Sequence, residues 1–252
     1  MATPPDNGVS FSSAFARHWR SSVRYYGLRQ TIMQVSSGAY RFLRELLPDR
    51  RKMRYSDLDY DFAHMVDTTR ANVSFRAQLI AALSAHQYFP SEPWLFEQIM
   101  QAPPVSFKDF TFIDLGSGKG RALLMAAAYG FKRITGIEFM PEWHRVAVDN
   151  IRKYTAEHET TAAIESLCMD ARDFDFPNEP LVIYLFNPFP EPVLARVLDK
   201  LRGSLLRNPR PVFVAYRYPE YERLFLQSGW LERIAGTEQW AVYKDRAKEE
   251  EL

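Results

Sequence analysis

The sequence predicts an α/β fold: a doubly wound, mostly parallel seven-stranded sheet with a C-terminal antiparallel hairpin, preceded by an N-terminal helical region. Three observations predict it. From Phe110 onward, short apolar runs alternate with amphipathic stretches. A glycine-rich turn joins the first of these runs to the helix after it. The last two runs flank Gly236-Thr237-Glu238, which reads as a hairpin turn.

Composition sets the outer limits. A chain of 252 residues holds one large α/β domain plus an extension. With 46% hydrophobic and 25% charged residues, wholesale disorder is excluded. The net charge of +1 predicts no nucleic-acid partner. The charge is uneven, however: residues 1–54 carry ten Lys/Arg against three Asp/Glu, so a basic arm precedes a mildly acidic body. The single cysteine, Cys168, excludes an internal disulfide and a cysteine metal cluster. His18, His64, His86, His144 and His158 are scattered without ligand spacing, so no metal is expected. No apolar run approaches the ~20 residues of a bilayer span. The first residues lack the basic and apolar regions of a secretory signal, and a cytoplasmic location is expected. The Ser/Arg-rich start is a weaker match to an organelle transit peptide. Nothing in the sequence specifies an oligomeric state.

The elements follow in order. Residues 1–54 form the basic arm. Phe15, Trp19, Val23 and Tyr26 recur at helical spacing, and Ala39, Phe42, Leu43, Leu46 and Leu47 do so again before Pro48. An arm helix lying on an anionic membrane is one reading, and a helix packed on the domain is the preferred one. Residues 55–104 form a helical lead-in. Its stretch 55–73 lacks periodicity, 74–86 is helical, Gln87 to Pro90 is a loop, and Ser91 with Pro93 opens the next helix. Residues 105–245 carry the sheet: strands at 110–115, 134–139, 164–169, 181–186, 211–216, 231–235 and 239–244, helices at 121–129, 141–158, 192–206 and 220–228. Residues 246–252 are a charged tail. The run 181–186 is apolar throughout, as a strand covered on both faces should be.

In such sheets ligands sit beyond the carboxyl ends of the strands. The first strand ends in Asp114-Leu-Gly116-Ser117-Gly118-Lys-Gly120-Arg121. Glycines here admit a ligand to the backbone and aim N–H groups at the helix start toward it. A dinucleotide fingerprint would place its third glycine at the sixth position, which is Arg121, whereas here it falls at the fifth, Gly120. No phosphate-binding loop is present. The second strand ends in Glu138, whose carboxylate can accept from ribose hydroxyls; the alternative is a solvated strand end. The third ends in Asp170-Ala171, where a cap on the turn at Arg172 is the alternative. The fourth runs into Asn187-Pro188-Phe189-Pro190, with a simple turn as the alternative.

An acid followed by G-x-G-x-G resembles the first motif of class I S-adenosylmethionine-dependent methyltransferases, seven-stranded and Rossmann-like. The resemblance covers Phe107 to Asp245 and is closest to uncharacterised bacterial members. It implies S-adenosyl-L-methionine as cofactor and S-adenosyl-L-homocysteine as product, on a site of Asp114, Gly116, Ser117, Gly118, Gly120 and Glu138. It further implies that Asp170 and Ala171 hold the adenine. The segment from Asn187 is similar to the Asn-Pro-Pro-Tyr/Phe signature of amino-group methyltransferases, with one proline fewer. It implies Asn187 and Phe189 as catalytic residues, Asn187 also beside the cofactor, and a nitrogen acceptor. Tyr88, with Ser91, resembles a loop that covers the cofactor in lysine methyltransferases. Tyr216-Arg217-Tyr218 can line an acceptor pocket or simply end a strand. An O-methyltransferase and a non-catalytic nucleotide-binding protein are the alternatives, with an NAD oxidoreductase and an aminopropyl transferase behind them.

Overall fold

The computed structural model describes residues 20, 23, 27–29, 31–33, 36, 53–69 and 90–246. The second predicted arm helix, all of the first but residues 20 and 23, the 74–86 helix and Tyr88 lie outside the described residues. Asp61–Thr68 and the chain from Pro90 onward belong to one compact unit, while Met53–Tyr60 and Thr69 belong to a second.

The described elements are α1 (Met53–His64), α2 (Pro93–Gln101), β1 (Thr111–Leu115), α3 (Arg121–Ala126), β2 (Arg133–Glu138), α4 (Pro141–Glu157), β3 (Ala163–Cys168), β4 (Leu181–Phe186), α5 (Glu191–Arg207), β5 (Val212–Arg217), α6 (Glu222–Leu226), β6 (Leu231–Gly236) and β7 (Trp240–Asp245). The strands form one seven-stranded sheet in the order β3-β2-β1-β4-β5-β7-β6. β1 to β5 pair in parallel. The predicted doubly wound sheet is therefore present. Its order reverses between β1 and β4, which opens a crevice beyond their carboxyl ends.

Burial follows the sequence. All five residues of β1 are buried, and the apolar run of β4 is buried as far as Leu185. The edge strand β3 is mostly exposed or half-buried. Phe96 of α2 packs edge-on against Phe112 of β1 at 5.9 Å and Tyr184 of β4 at 5.4 Å. Phe107 stacks on Phe131 at 4.5 Å near the opposite end of the sheet.

Three details differ from expectation. The terminal hairpin is antiparallel, but β7 inserts between β5 and β6, because the buried run Ala241-Val242-Tyr243 needs a neighbour on both sides. The predicted 121–129 helix tightens to a 3-10 turn over Ala127–Tyr129 and stops at Gly130, whose φ is +72°. The stretch that lacks apolar periodicity contains α1. Its described end is inverted, with Asp61 buried and Phe62 88% exposed, so no apolar stripe marks it.

Candidate functional site

The turn after β1 is built by its glycines. Gly116, Gly118 and Gly120 have φ of +81°, +54° and +85°, a region that L side chains disfavour. A side chain on Gly116 would also collide with Pro188, its Cβ meeting the proline Cβ. The turn after β4 is thereby interlocked with the turn after β1. The amides of Gly116 and Ser117 donate to the Ile137 carbonyl at 2.8 and 3.1 Å, fastening the turn to β2. Gly136 gives Ser117 its space, since a Cβ there would lie 2.6 Å from the serine Oγ. That Oγ is buried and has no hydrogen-bond partner among the described residues.

Two buried carboxylates face this turn. Glu138 is 4% exposed, so the expected alternative of a solvated strand end does not hold. Its Oε2 accepts from the Gly118 amide at 2.8 Å and its Oε1 from the Met140 amide at 2.7 Å. Burial pushes its carboxyl up to about 7, against the lowering effect of the Met140, Gly118 and Phe139 amides. Asp114, also 4% exposed, is held well above the ordinary carboxylate range by burial and by the negative charge of Glu138. Two like charges desolvated together disfavour an anionic ligand. They fit one that brings positive charge and hydroxyl donors. S-adenosylmethionine has both, in its sulfonium and ammonium and in its ribose. The orphaned Ser117 hydroxyl and the glycine cradle fit the same group. NAD, with its pyrophosphate, fits poorly.

The end of β3 is arranged differently. Ala171 is buried. The Asp170 carboxylate pairs with Arg172, Oδ2 to Nη2 at 2.6 Å, and its Oδ1 accepts the Arg172 amide at 2.8 Å. It therefore caps the turn, as its alternative reading expects, and an adenine amino group would have to share it.

At the end of β4, Asn187 has φ of +39°. Its Oδ1 accepts from the Tyr216 hydroxyl at 2.8 Å, and its Nδ2 donates to Glu220 Oε2 at 2.7 Å. Phe189 is buried. Beside them Arg217 lies with its guanidinium carbon 4.9 Å from the Phe186 ring centroid and its Nη2 3.3 Å from Glu92 Oε1. Ser91 Oγ hydrogen-bonds the buried Tyr184 hydroxyl at 2.8 Å. Burial raises both Tyr184 and Tyr216 above the ordinary phenol range, so both are neutral, and the Tyr216 hydroxyl donates to Asn187.

Residues 113–187 match the family described as a methyltransferase domain. Over that stretch the chain carries a methyltransferase domain. No curated protein matches the sequence. Among solved structures, the chain is similar to an RNA methyltransferase from Salinibacter ruber in complex with S-adenosyl-L-homocysteine. Identity is 22% and the TM-score 0.44, over 64% of this chain and 95% of that one. It is similar to a putative methyltransferase from Methanococcus maripaludis at 14% identity and TM-score 0.46, over 64% of this chain and 87% of that one. It is also similar to a precorrin 8W decarboxylase from Methanobacterium thermoautotrophicum at 14% identity and TM-score 0.47, over 64% and 93%.

The structure brings Asp114, Gly116, Ser117, Gly118, Gly120, Glu138 and, through Pro188, Asn187 into one region. Sequence reasoning missed Glu92 beside Arg217 and Glu220 beside Asn187. It also missed Asp61, Asp67, Thr68 and Asn150 around the glycine turn. Glu92 had one signal, its place between Ser91 and Pro93. Asn150 had none, being a lone polar residue within a helix. No helix among the described residues is long and apolar enough to cross a membrane.

Proposed function

We propose that this methyltransferase transfers the methyl group to a nitrogen acceptor, an amine of a protein or of a small molecule. S-adenosylmethionine supplies an electrophilic methyl carbon on its sulfonium. The carbon–sulfur bond breaks as the nitrogen–carbon bond forms, and the displaced N–H proton passes to water. The chain's residues bind and align. Asp114 and Glu138 take the cationic and hydroxyl-bearing parts of the cofactor, the turn of Gly116, Ser117, Gly118 and Gly120 admits it, and Asp170 with Ala171 borders the adenine.

One observation carries the acceptor side: Asn187 stands in a left-handed conformation directly before Pro188, and Pro188 is seated on Gly116. A residue before proline is normally extended, and a left-handed one stores strain of about 1–3 kcal/mol. Such strain is retained where the surroundings over-determine it, often at reaction sites. The Tyr216 hydroxyl and Glu220 clamp the Asn187 amide from both ends. A carbonyl oxygen has two lone pairs, so Oδ1 keeps one for an acceptor N–H. Alignment of the nitrogen lone pair with the methyl carbon is what this clamp provides. Phe189, two residues on, is buried.

A cytoplasmic location fits the single cysteine. The test is a screen of amines, lysine peptides and phenols with methyl-labelled cofactor. The reading expects label on amines. Label on phenols alone would move the acceptor to oxygen.

A further inference from the structure

Lys119 sits at a variable position of the glycine turn and Arg121 opens α3, yet they are 2% and 1% exposed. Buried cations need partners, and both find them in a segment distant in sequence. Lys119 Nζ donates to Asp67 Oδ1 at 2.9 Å. Arg121 Nε donates to Thr68 Oγ1 at 2.7 Å, and its Nη2 reaches Asp61 Oδ1 at 3.3 Å. Asp61 Oδ2 accepts the Thr68 amide at 2.8 Å, and the Thr68 hydroxyl donates to Oδ1. The segment is shaped locally as well. Met65 takes φ of +51°, the Val66 amide donates to Asp61 O at 3.0 Å, and the Met65 amide donates to Phe62 O at 3.4 Å. This is a Schellman stop to α1 built on a non-glycine residue.

Asn150 of α4 ties the segment to the turn. Its Oδ1 accepts the Asp67 amide at 2.8 Å, while its Nδ2 donates to the carbonyls of Asp67 at 2.8 Å and Lys119 at 3.0 Å. Asn150 is fully buried and both ends of its amide are used. The Lys119 carbonyl is thereby fixed one residue from Gly118, whose amide meets Glu138.

We infer that Asp61–Thr68 is a positioning strap for the cofactor turn: through Lys119, Arg121 and Asn150 it holds Gly118 where its amide reaches Glu138. The inference rests on the reading that this turn and Glu138 bind the cofactor. The strap residues are positioning residues and touch no cofactor. Loosening the strap removes a donor that lowers the Glu138 carboxyl, so both the affinity and its pH midpoint move.

The test uses the full chain and S-adenosylhomocysteine, titrated by calorimetry from pH 5.5 to 8.5. Thr68→Val removes the hydroxyl at nearly constant shape, and Thr68→Ser restores it. The expected result is an affinity at least fivefold weaker for Thr68→Val, with its pH midpoint shifted upward, and Thr68→Ser within twofold of wild type. Asn150→Ala, confirmed folded by its thermal unfolding transition, should shift the midpoint in the same direction. If Thr68→Val and Asn150→Ala bind with wild-type affinity and midpoint, the strap is overturned and the cofactor reading stands. If wild type itself fails to bind, the cofactor reading falls and the strap with it.

Discussion

The two sides of the crevice are made of different materials. On the cofactor side, at the ends of β1 and β2, the contacts are backbone: glycines at positive φ, amides on Glu138, amides on the Ile137 carbonyl. On the side proposed for the acceptor, at the ends of β4 and β5, they are side chains holding side chains: Tyr216 and Glu220 on Asn187, Glu92 on Arg217. A backbone site is set by where glycines stand in the chain. A side-chain site is set by residues far apart in sequence. The first kind suits a ligand that every member of a fold class binds, and the second suits one that differs between them.

The comparison breaks first at Asn187. Asn187→Ala should lower turnover at least a hundredfold and leave S-adenosylhomocysteine affinity within about twofold, since misplaced acceptors lose alignment rather than cofactor binding. Asn187→Gly, which tolerates the φ of +39°, should lose as much, because the amide and not the strain aligns the acceptor. A single-turnover assay with an acceptor from the amine screen reads both, and retained turnover in either would make Asn187 a turn residue. Next comes Glu138→Gln, expected to weaken cofactor binding by about 1.5–3 kcal/mol, the scale of a charge-assisted hydrogen bond. Asp170→Asn should cost less, under about 1 kcal/mol, because Arg172 already holds that carboxylate. An effect equal to that of Glu138→Gln would show that the adenine displaces Arg172.

Stability gives an opposite signal. The Glu138 carboxyl is raised from 4.5 to about 7 on folding. Between those values the folded chain keeps a proton that the unfolded chain has released. Cofactor-free stability therefore falls as pH rises across that window, and the full loss is in place above about pH 7. The scale is on the order of 3 kcal/mol. Glu138→Gln escapes the loss, so its unfolding temperature relative to wild type should climb from pH 5 to pH 8.

The same contrast explains what could be read from the sequence. The run Leu181–Phe186 and the spacing Gly116, Gly118, Gly120 are local, and they identified the central strand and the glycine turn after β1. Glu138 was placed by position alone, and its burial between two amides was invisible. The Asp61–Thr68 segment carried no pattern, because it turns polar groups inward and leaves Phe62 and Met65 outside. The strand β7 was recognised as half of a hairpin, but its insertion beside β5 depends on a sheet edge that no single element encodes. Asn187 was found by likeness. Its clamp by Tyr216 and Glu220, 29 and 33 residues away, was not.

The central claim is that Glu138, as a carboxylate, receives the cofactor's hydroxyls. The direct measurement is S-adenosylhomocysteine affinity against pH for wild type and Glu138→Gln. The carboxylate form binds, so wild-type affinity should hold above about pH 7 and fall below it, by up to about tenfold per pH unit. Glu138→Gln should bind weakly with little pH dependence across that range. Equal affinity in the two proteins, or the same pH dependence in both, would contradict the account.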